Sequence, residues 1–290
     1  MNTGITGPTP TDPAPPPRFY PPFGHVLRHV GLDQRFLPNG DLLTSMPATD
    51  DLRDAGGAVR VGALVILVDS AAGVLSHVRV RPDWLATTDM KYHSLRPTSG
   101  EGLDSVTRII RPGKRNILSQ TILTDVDGEI GRAWVTYARL PRRDDTPTVE
   151  SDAGPNQRVH YAEDPEFERG GRLPLDDYIG MRIRADELVI EVTHNDRIRN
   201  SFGSIQGGVA AALVERMGTL AAERTLGAPA RSLDIHLHYL GQSTTGPFRI
   251  DGTILRVDGD TVTTEVTIID AADGRVLDLG TTTARSIVQR

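Results

Sequence analysis

The chain contains no cysteine, which excludes disulfides, thiolate nucleophiles and cysteine-bound zinc or iron–sulfur centres. Lysine is almost as scarce: Lys91 and Lys114 stand against 30 arginines, a bias we read as genomic rather than chemical. No basic excess exists either. The net charge is −6 and the isoelectric point about 5.8, so the electrostatic footprint of a nucleic-acid or anionic-membrane binder is missing. No stretch of 18 unbroken apolar residues occurs, and the start MNTGITGPTPTDPAPPPRF has neither a basic opening nor an apolar run. Neither a membrane span nor a leader is therefore expected, and the cytoplasm is the expected location.

What is present is ordinary globular composition, 38% hydrophobic and 24% charged, over a length that favours two units. Residues 1–22 are mostly proline and small polar residues and read as a disordered tail. Residues 141–172 form a second polar stretch, rich in charge, proline and glycine and without a period of 2 or 3.6. They read as a linker between domains at 23–140 and 173–290.

The two halves resemble each other. At an offset of 146, Asp41–Asp69 aligns with Glu187–Glu215 without a gap, matching Leu42 with Leu188, Gly57 with Gly203, Gly62 with Gly208 and Leu67 with Leu213. Each copy reads as a strand (DLLTSMP; ELVIEVT), a glycine-containing loop, a long apolar helix (RVGALVILVDSAAGVLSHV; GGVAAALVERMGTLAAERT) and a further strand (TTDMKYHSLRP; SLDIHLHYLGQ). Runs rich in Val, Ile and Thr follow, broken at Pro112-Gly113, Asp127-Gly128, Asp258-Gly259 and Asp273-Gly274, and predict an antiparallel meander. The helices are apolar nearly all round, so a curved sheet must bury them. The expected class is α+β, a double hotdog of two tandem repeats, each a long central helix wrapped by a curved antiparallel sheet.

The segment Asn200-Ser-Phe-Gly203-Ser-Ile-Gln206-Gly207-Gly208-Val-Ala-Ala-Ala-Leu-Val-Glu215 resembles the Asn/Gln-x₂-Gly-x₂-His-Gly-Gly-x₆-Asp/Glu stretch of PaaI-type hotdog thioesterases. The resemblance implies hydrolysis of an acyl-CoA or related thioester, with no cofactor, at pseudo-sites between the repeats. It gives Glu215 the role of nucleophile or general base, and Gly207 that of oxyanion donor. Asn200 would orient water or thioester, and Thr219 would add a hydroxyl one turn beyond the acid. Gln206 and Gly208 fall at substrate-binding positions, Gln206 departing from the usual histidine. Residues 215 and 219 share a helical face, and an acid in so apolar a helix needs a cavity or a partner. Burial would raise its pKa toward the range useful in acid–base chemistry.

Blander readings stand beside these. Glu215 could pair with Arg216 or an arginine of the other half, Asn200 could brace its own loop, and Thr219 could bond back to its own helix. Asp69, the counterpart of Glu215, has Asp54, Arg60 and Gly73 where the second copy has Asn200, Gln206 and Thr219. That divergence favours a structural Asp69, paired with Arg60, although it remains a candidate catalytic carboxylate. His236 and His238 share a strand face, but no third ligand accompanies them in sequence, so no metal site is expected. Asp89 and Asp234 read as turn or cap residues. Asp152 and His160 faintly resemble a hydratase pair at the wrong spacing. The rival to hydrolysis is a non-catalytic acyl-CoA or lipid-binding double hotdog. The sequence expects a pseudo-dimer within one chain and leaves a further homodimer open.

Overall fold

The computed structural model describes residues 18–98, 100–142, 149–150, 158–160 and 171–288. The expected tail thus lies outside the described residues up to position 17, as do Asp152 and most of the linker.

Each repeat builds its half of one sheet in the same order. In the first, β2 (Asp33–Phe36), β3 (Leu42–Pro47), β4 (Trp84–Ser94), β5 (Gly102–Pro112), β6 (Asn116–Asp125) and β7 (Gly128–Leu140) run β4-β7-β6-β5-β3-β2. In the second, β10 (Met181–Arg184), β11 (Val189–Val192), β12 (Ala230–Tyr239), β13 (Phe248–Asp258), β14 (Thr261–Asp270) and β15 (Val276–Ser286) run β12-β15-β14-β13-β11-β10. Every one of the four expected turns falls between consecutive strands. Antiparallel pairing of β4 with β12, Asp89 opposite His238 and His93 opposite Asp234, joins the halves into one sheet, 13-stranded among the described residues. The remaining strand comes from the linker, where β9 (Arg158–His160) pairs with β2 at the sheet edge. A further linker pair, β8 (Val149–Glu150), runs parallel to β1 (Arg18–Phe19), so the described ends of the tail and linker meet. Their polar composition hid these pairings, because edge strands need backbone partners more than apolar side chains.

The central helices are Val61–Val80 and Gly207–Leu226. Periodicity is weak in both because the sheet and the other helix cover them on most sides: 15 of the 20 residues of the first and 14 of the second are buried. The first is apolar and long enough by composition to cross a membrane, yet most of it lies inside the fold. The two helices pack antiparallel. Gly208 meets Ile66 and Asp69, while Gly62 meets Ala212 and Glu215. A Cβ on Gly208 would lie 2.7 Å from Ile66 Cα, so glycine is what permits this approach. The loops ahead of the helices also match, Gly57 and Gly203 both adopting positive φ (80° and 83°). Stacking of His29 on Tyr178, ring centroids 3.8 Å apart, ties the start of one repeat to that of the other.

Candidate active site

The antiparallel crossing decides which acid meets which helix start. Glu215 lies eight residues into its own helix, about 12 Å of rise from Gly207. The other helix runs the opposite way, so each acid sits at the N-terminus of its neighbour. Gly207 and Gln206 accordingly stand at Asp69, and Arg60 stands at Glu215. This corrects the expected grouping of Gln206 and Gly207 with Glu215, and of Arg60 with Asp69.

Around Asp69 the second repeat supplies the helix start. Gln206 caps it, its side-chain oxygen accepting from the Val209 N–H at 2.8 Å. That bond fixes the amide so that Nε2 donates to Asp69 Oδ2 at 2.6 Å. The Gly208 N–H also bonds the carboxylate, and a Cβ on Gly207 would lie 2.8 Å from Asp69 Oδ1. Thr87, on β4 of the first repeat, donates to Oδ1 at 3.4 Å. Two tyrosines clamp the backbone: Tyr137 donates to the Asp69 carbonyl at 3.1 Å and Tyr239 to the Gly207 carbonyl at 2.9 Å. Asp69 is 8% exposed. Burial pushes its pKa up to about 6, against the lowering pull of the Gly208 N–H and the Thr87 hydroxyl.

Asp69, Gly73 and His77 are spaced by four and line one face of their helix. Gly73 brings no side chain to this face, where a Cβ would lie 3.5 Å from the Tyr137 hydroxyl, and beyond it His77 packs on Trp84, which meets Phe202 of the second repeat edge to face at 4.5 Å between centroids. Burial lowers the His77 pKa, with Arg81 and Arg142 adding to the effect. The carboxylate is thus followed by a neutral aromatic wall and then by two arginines.

Asn200 does not project to Glu215. Its Oδ1 accepts from the N–H groups of Phe202 (2.9 Å) and Ser204 (3.1 Å), so it braces the loop that carries Phe202.

Around Glu215 the same frame holds different chemistry. Arg60 Nη2 donates to Oε2 at 3.3 Å and its Nη1 to Asp176 at 2.6 Å. Asp176 also takes Arg216 (3.0 Å), which in turn holds Glu223 (3.0 Å). Ser232, at the place of Thr87, donates to Oε1 at 3.4 Å. Thr219 donates to carbonyls of its own helix, at 3.0 Å for Arg216 and 3.3 Å for Glu215, and accepts from Arg216 Nη1. Asp54, the counterpart of Asn200, takes a bidentate pair from Arg231 (2.6 and 3.0 Å). Asp54, Arg60, Asp176, Glu215, Arg216 and Arg231 line a polar cavity of about 170 Å³. Desolvation raises the Glu215 pKa while Arg60 opposes it.

A second finding departs from the sequence expectation. Asp89 is not a turn residue: its Oδ2 lies 2.8 Å from His236 Nε2 and 3.1 Å from His238 Nδ1. The third donor missing from the sequence neighbourhood of the histidines comes from the other repeat. Trp84, Thr87 and Tyr137 also went unselected in sequence: Thr87 and Tyr137 reach Asp69 because the sheet wraps the helix of their own repeat, and only the packing of the two repeats brings Trp84 to Phe202.

Residues 202–282 match the family model described as thioesterase superfamily. No curated protein matches the chain in sequence. Among solved structures, 85% of the chain superposes on 98% of an acyl-ACP thioesterase from Bacteroides thetaiotaomicron, with a TM-score of 0.56 and 12% identity. A TesB protein from Mycobacterium avium subspecies paratuberculosis is matched over 93% of its length by 85% of the chain, TM-score 0.59, identity 11%. A hot dog fold protein of unknown function from Alicyclobacillus acidocaldarius is matched over 99% by 92% of the chain, TM-score 0.58, identity 9%. At these identities what is shared is the fold, the double hotdog.

Proposed function

We propose that this chain, whose residues 202–282 match the thioesterase superfamily model, hydrolyses acyl-CoA or a related thioester at the Asp69 end of its helix pair. One observation carries the reading: a buried carboxylate with a pKa of about 6 faces a glycine-built helix N-terminus. At neutral pH that carboxylate is mostly ionised, yet basic enough to take a proton from water or to attack the thioester carbonyl. Charge developing on the carbonyl oxygen falls to the Gly207 N–H at the positive end of the helix dipole, the Gly208 N–H being engaged by the carboxylate. Gln206 holds the carboxylate by one oxygen, and Thr87 is the hydroxyl beside the other. The Phe202–Trp84–His77 wall would take the apolar part of the substrate, and Arg81 and Arg142 lie where phosphates of a CoA arm would be met. Glu215, with its guanidinium partner, is assigned a structural role in this reading.

Turnover of a panel of acyl-CoAs by Asp69→Asn and Glu215→Gln tests the assignment. General acid–base groups contribute about 10²–10⁴ in rate, so Asp69→Asn should lose that much in kcat, while Glu215→Gln stays within a few fold of the parent. The reverse pattern would move the site to Glu215. Acyl-CoA binding without turnover in the parent chain would favour the non-catalytic binding module instead.

A further inference from the structure

The join between the repeats carries a second cluster, on the sheet face opposite the helices. Along β4 and β12, Met90, Tyr92, Ile235 and Leu237 point inward and are buried. Alternation therefore turns Asp89, Lys91, His93, Asp234, His236 and His238 outward. Asp89 lies opposite His238, Lys91 opposite His236 and His93 opposite Asp234. The pseudo-two-fold relation between repeats divides these six into two equivalent trios. One is Asp89, His236 and His238; its mate is Asp234, Lys91 and His93. An imidazole in the first trio is thus an ammonium in the second.

We propose that Asp89, His236 and His238 bind a first-row divalent transition metal of the zinc, nickel or copper class, clamping the two repeats together. The donor set, two imidazoles and a carboxylate, is the borderline type such ions select. The geometry is nearly formed. One donor atom from each residue lies within 4.8 Å of the others, and the single oxygen Oδ2 already reaches Nε2 of His236 and Nδ1 of His238 at 2.8 and 3.1 Å. Metal–ligand bonds of about 2.0–2.1 Å in a tetrahedron set donors about 3.3 Å apart, so the two carboxylate–imidazole distances need open by only a few tenths of an ångström. Each imidazole then takes the tautomer that puts its lone pair on the liganding nitrogen. The residues are partly exposed, which gives the ion an entry path and leaves water to fill the remaining position.

The site is separate from the proposed reaction. Tyr239, next along β12, points to the other face and bonds the Gly207 carbonyl, so the ion would lie behind the strand rather than beside Asp69. Its role is structural: two ligands come from one repeat and one from the other.

The mate trio is an internal control, since a lysine ammonium offers no lone pair. Calorimetric titration of the tag-free, chelator-treated full chain with Zn²⁺ and Ni²⁺ should give one site per chain and raise Tm by a few degrees. His238→Ala and His236→Gln should each weaken binding at least about tenfold and abolish the Tm rise, while His93→Ala leaves both unchanged. Both histidines are on the surface, so these variants fold. Absence of uptake by the parent, or uptake that survives both histidine substitutions, would overturn the proposal. Equal loss in His93→Ala would overturn it too, showing general surface binding instead of the Asp89 trio.

Discussion

The two ends of the helix pair share one backbone frame and differ in almost every side chain that touches the central acid. At the Asp69 end the acid meets an amide, a hydroxyl and the Gly208 backbone N–H, none of which carries a full charge. At the Glu215 end it meets Arg60, itself tied to Asp176, with Arg216 and Arg231 close by. Down the same helical face, Gly73 and His77 lead to aromatic rings in one repeat, and Thr219 and Glu223 lead to guanidinium groups in the other. Duplication kept the frame, and the partner of the buried carboxylate decides what that frame can do. An acid neutralised by arginine is a poor base, because its proton-accepting lone pairs are engaged. Burial raises both carboxylates above the ordinary range, and only at Asp69 is the acid held by dipoles alone, with no guanidinium competing for its lone pairs.

The largest effect that separates the ends should come from Arg60→Ala. It strands Glu215, 3% exposed, without its cation, and breaking a buried pair on one side costs about 3–5 kcal/mol. Urea denaturation should show that loss, and replacing both partners, Arg60→Met with Glu215→Leu, should recover most of it. Failure of the double variant to recover would mean that Asp176, left with Arg216 alone, needs Arg60 as much as Glu215 does.

The Asp69 end should respond with the opposite sign. Its folded pKa of about 6 exceeds the ordinary 3.8, so folding favours the protonated form. The stability this gives is fully present below about pH 4 and is lost as pH rises through about 6. That loss amounts to about 3 kcal/mol at neutral pH, at 1.36 kcal/mol per pKa unit. Asp69→Asn removes the buried charge and keeps an acceptor for Gln206. The variant should therefore be more stable than the parent at pH 7.5, with the difference in Tm vanishing near pH 4. A destabilised Asp69→Asn at neutral pH would mean that the carboxylate is structural. Stability given up at a catalytic group is a common trade.

The fold was legible because the repeat, the hairpin breaks and the all-round apolar helices each depend on local sequence. The candidate site could be read from the sequence as residue types, not as their grouping. Gln206, Gly207, Gly208 and both acids stood out, but an offset alignment places each acid with its own helix start. The antiparallel crossing exchanges them, and no periodicity encodes that exchange. Asp176 was hidden for a different reason: it sits in a one-turn helix, Leu175–Ile179, too short to show a pattern. The pairing of Asp89 with His236 spans 147 residues, a distance at which spacing carries no information about ligands. β9 escaped because an edge strand in a polar linker has no apolar face to alternate.

The smallest effect probes the walls rather than the acids. Phe202 is held at the inter-repeat seam by the Asn200-braced loop and meets Trp84 edge to face. Its counterpart Gly56 has no side chain, and a Cβ there would come within 2.9 Å of Arg231 Nη2. Aromatic pairs of this geometry contribute about 0.5–1.5 kcal/mol beyond area burial, so Phe202→Ala should cost about 1 kcal/mol in stability. If the wall also holds the apolar part of a thioester, contact is made equally in ground and transition states, and KM should rise several fold while kcat changes little. A fall in kcat at unchanged KM would place Phe202 with the reacting carbonyl instead. The converse change, Gly56→Phe, would press a ring into the guanidinium cluster and should disturb stability without altering turnover, because charge rather than an acyl chain fills that end.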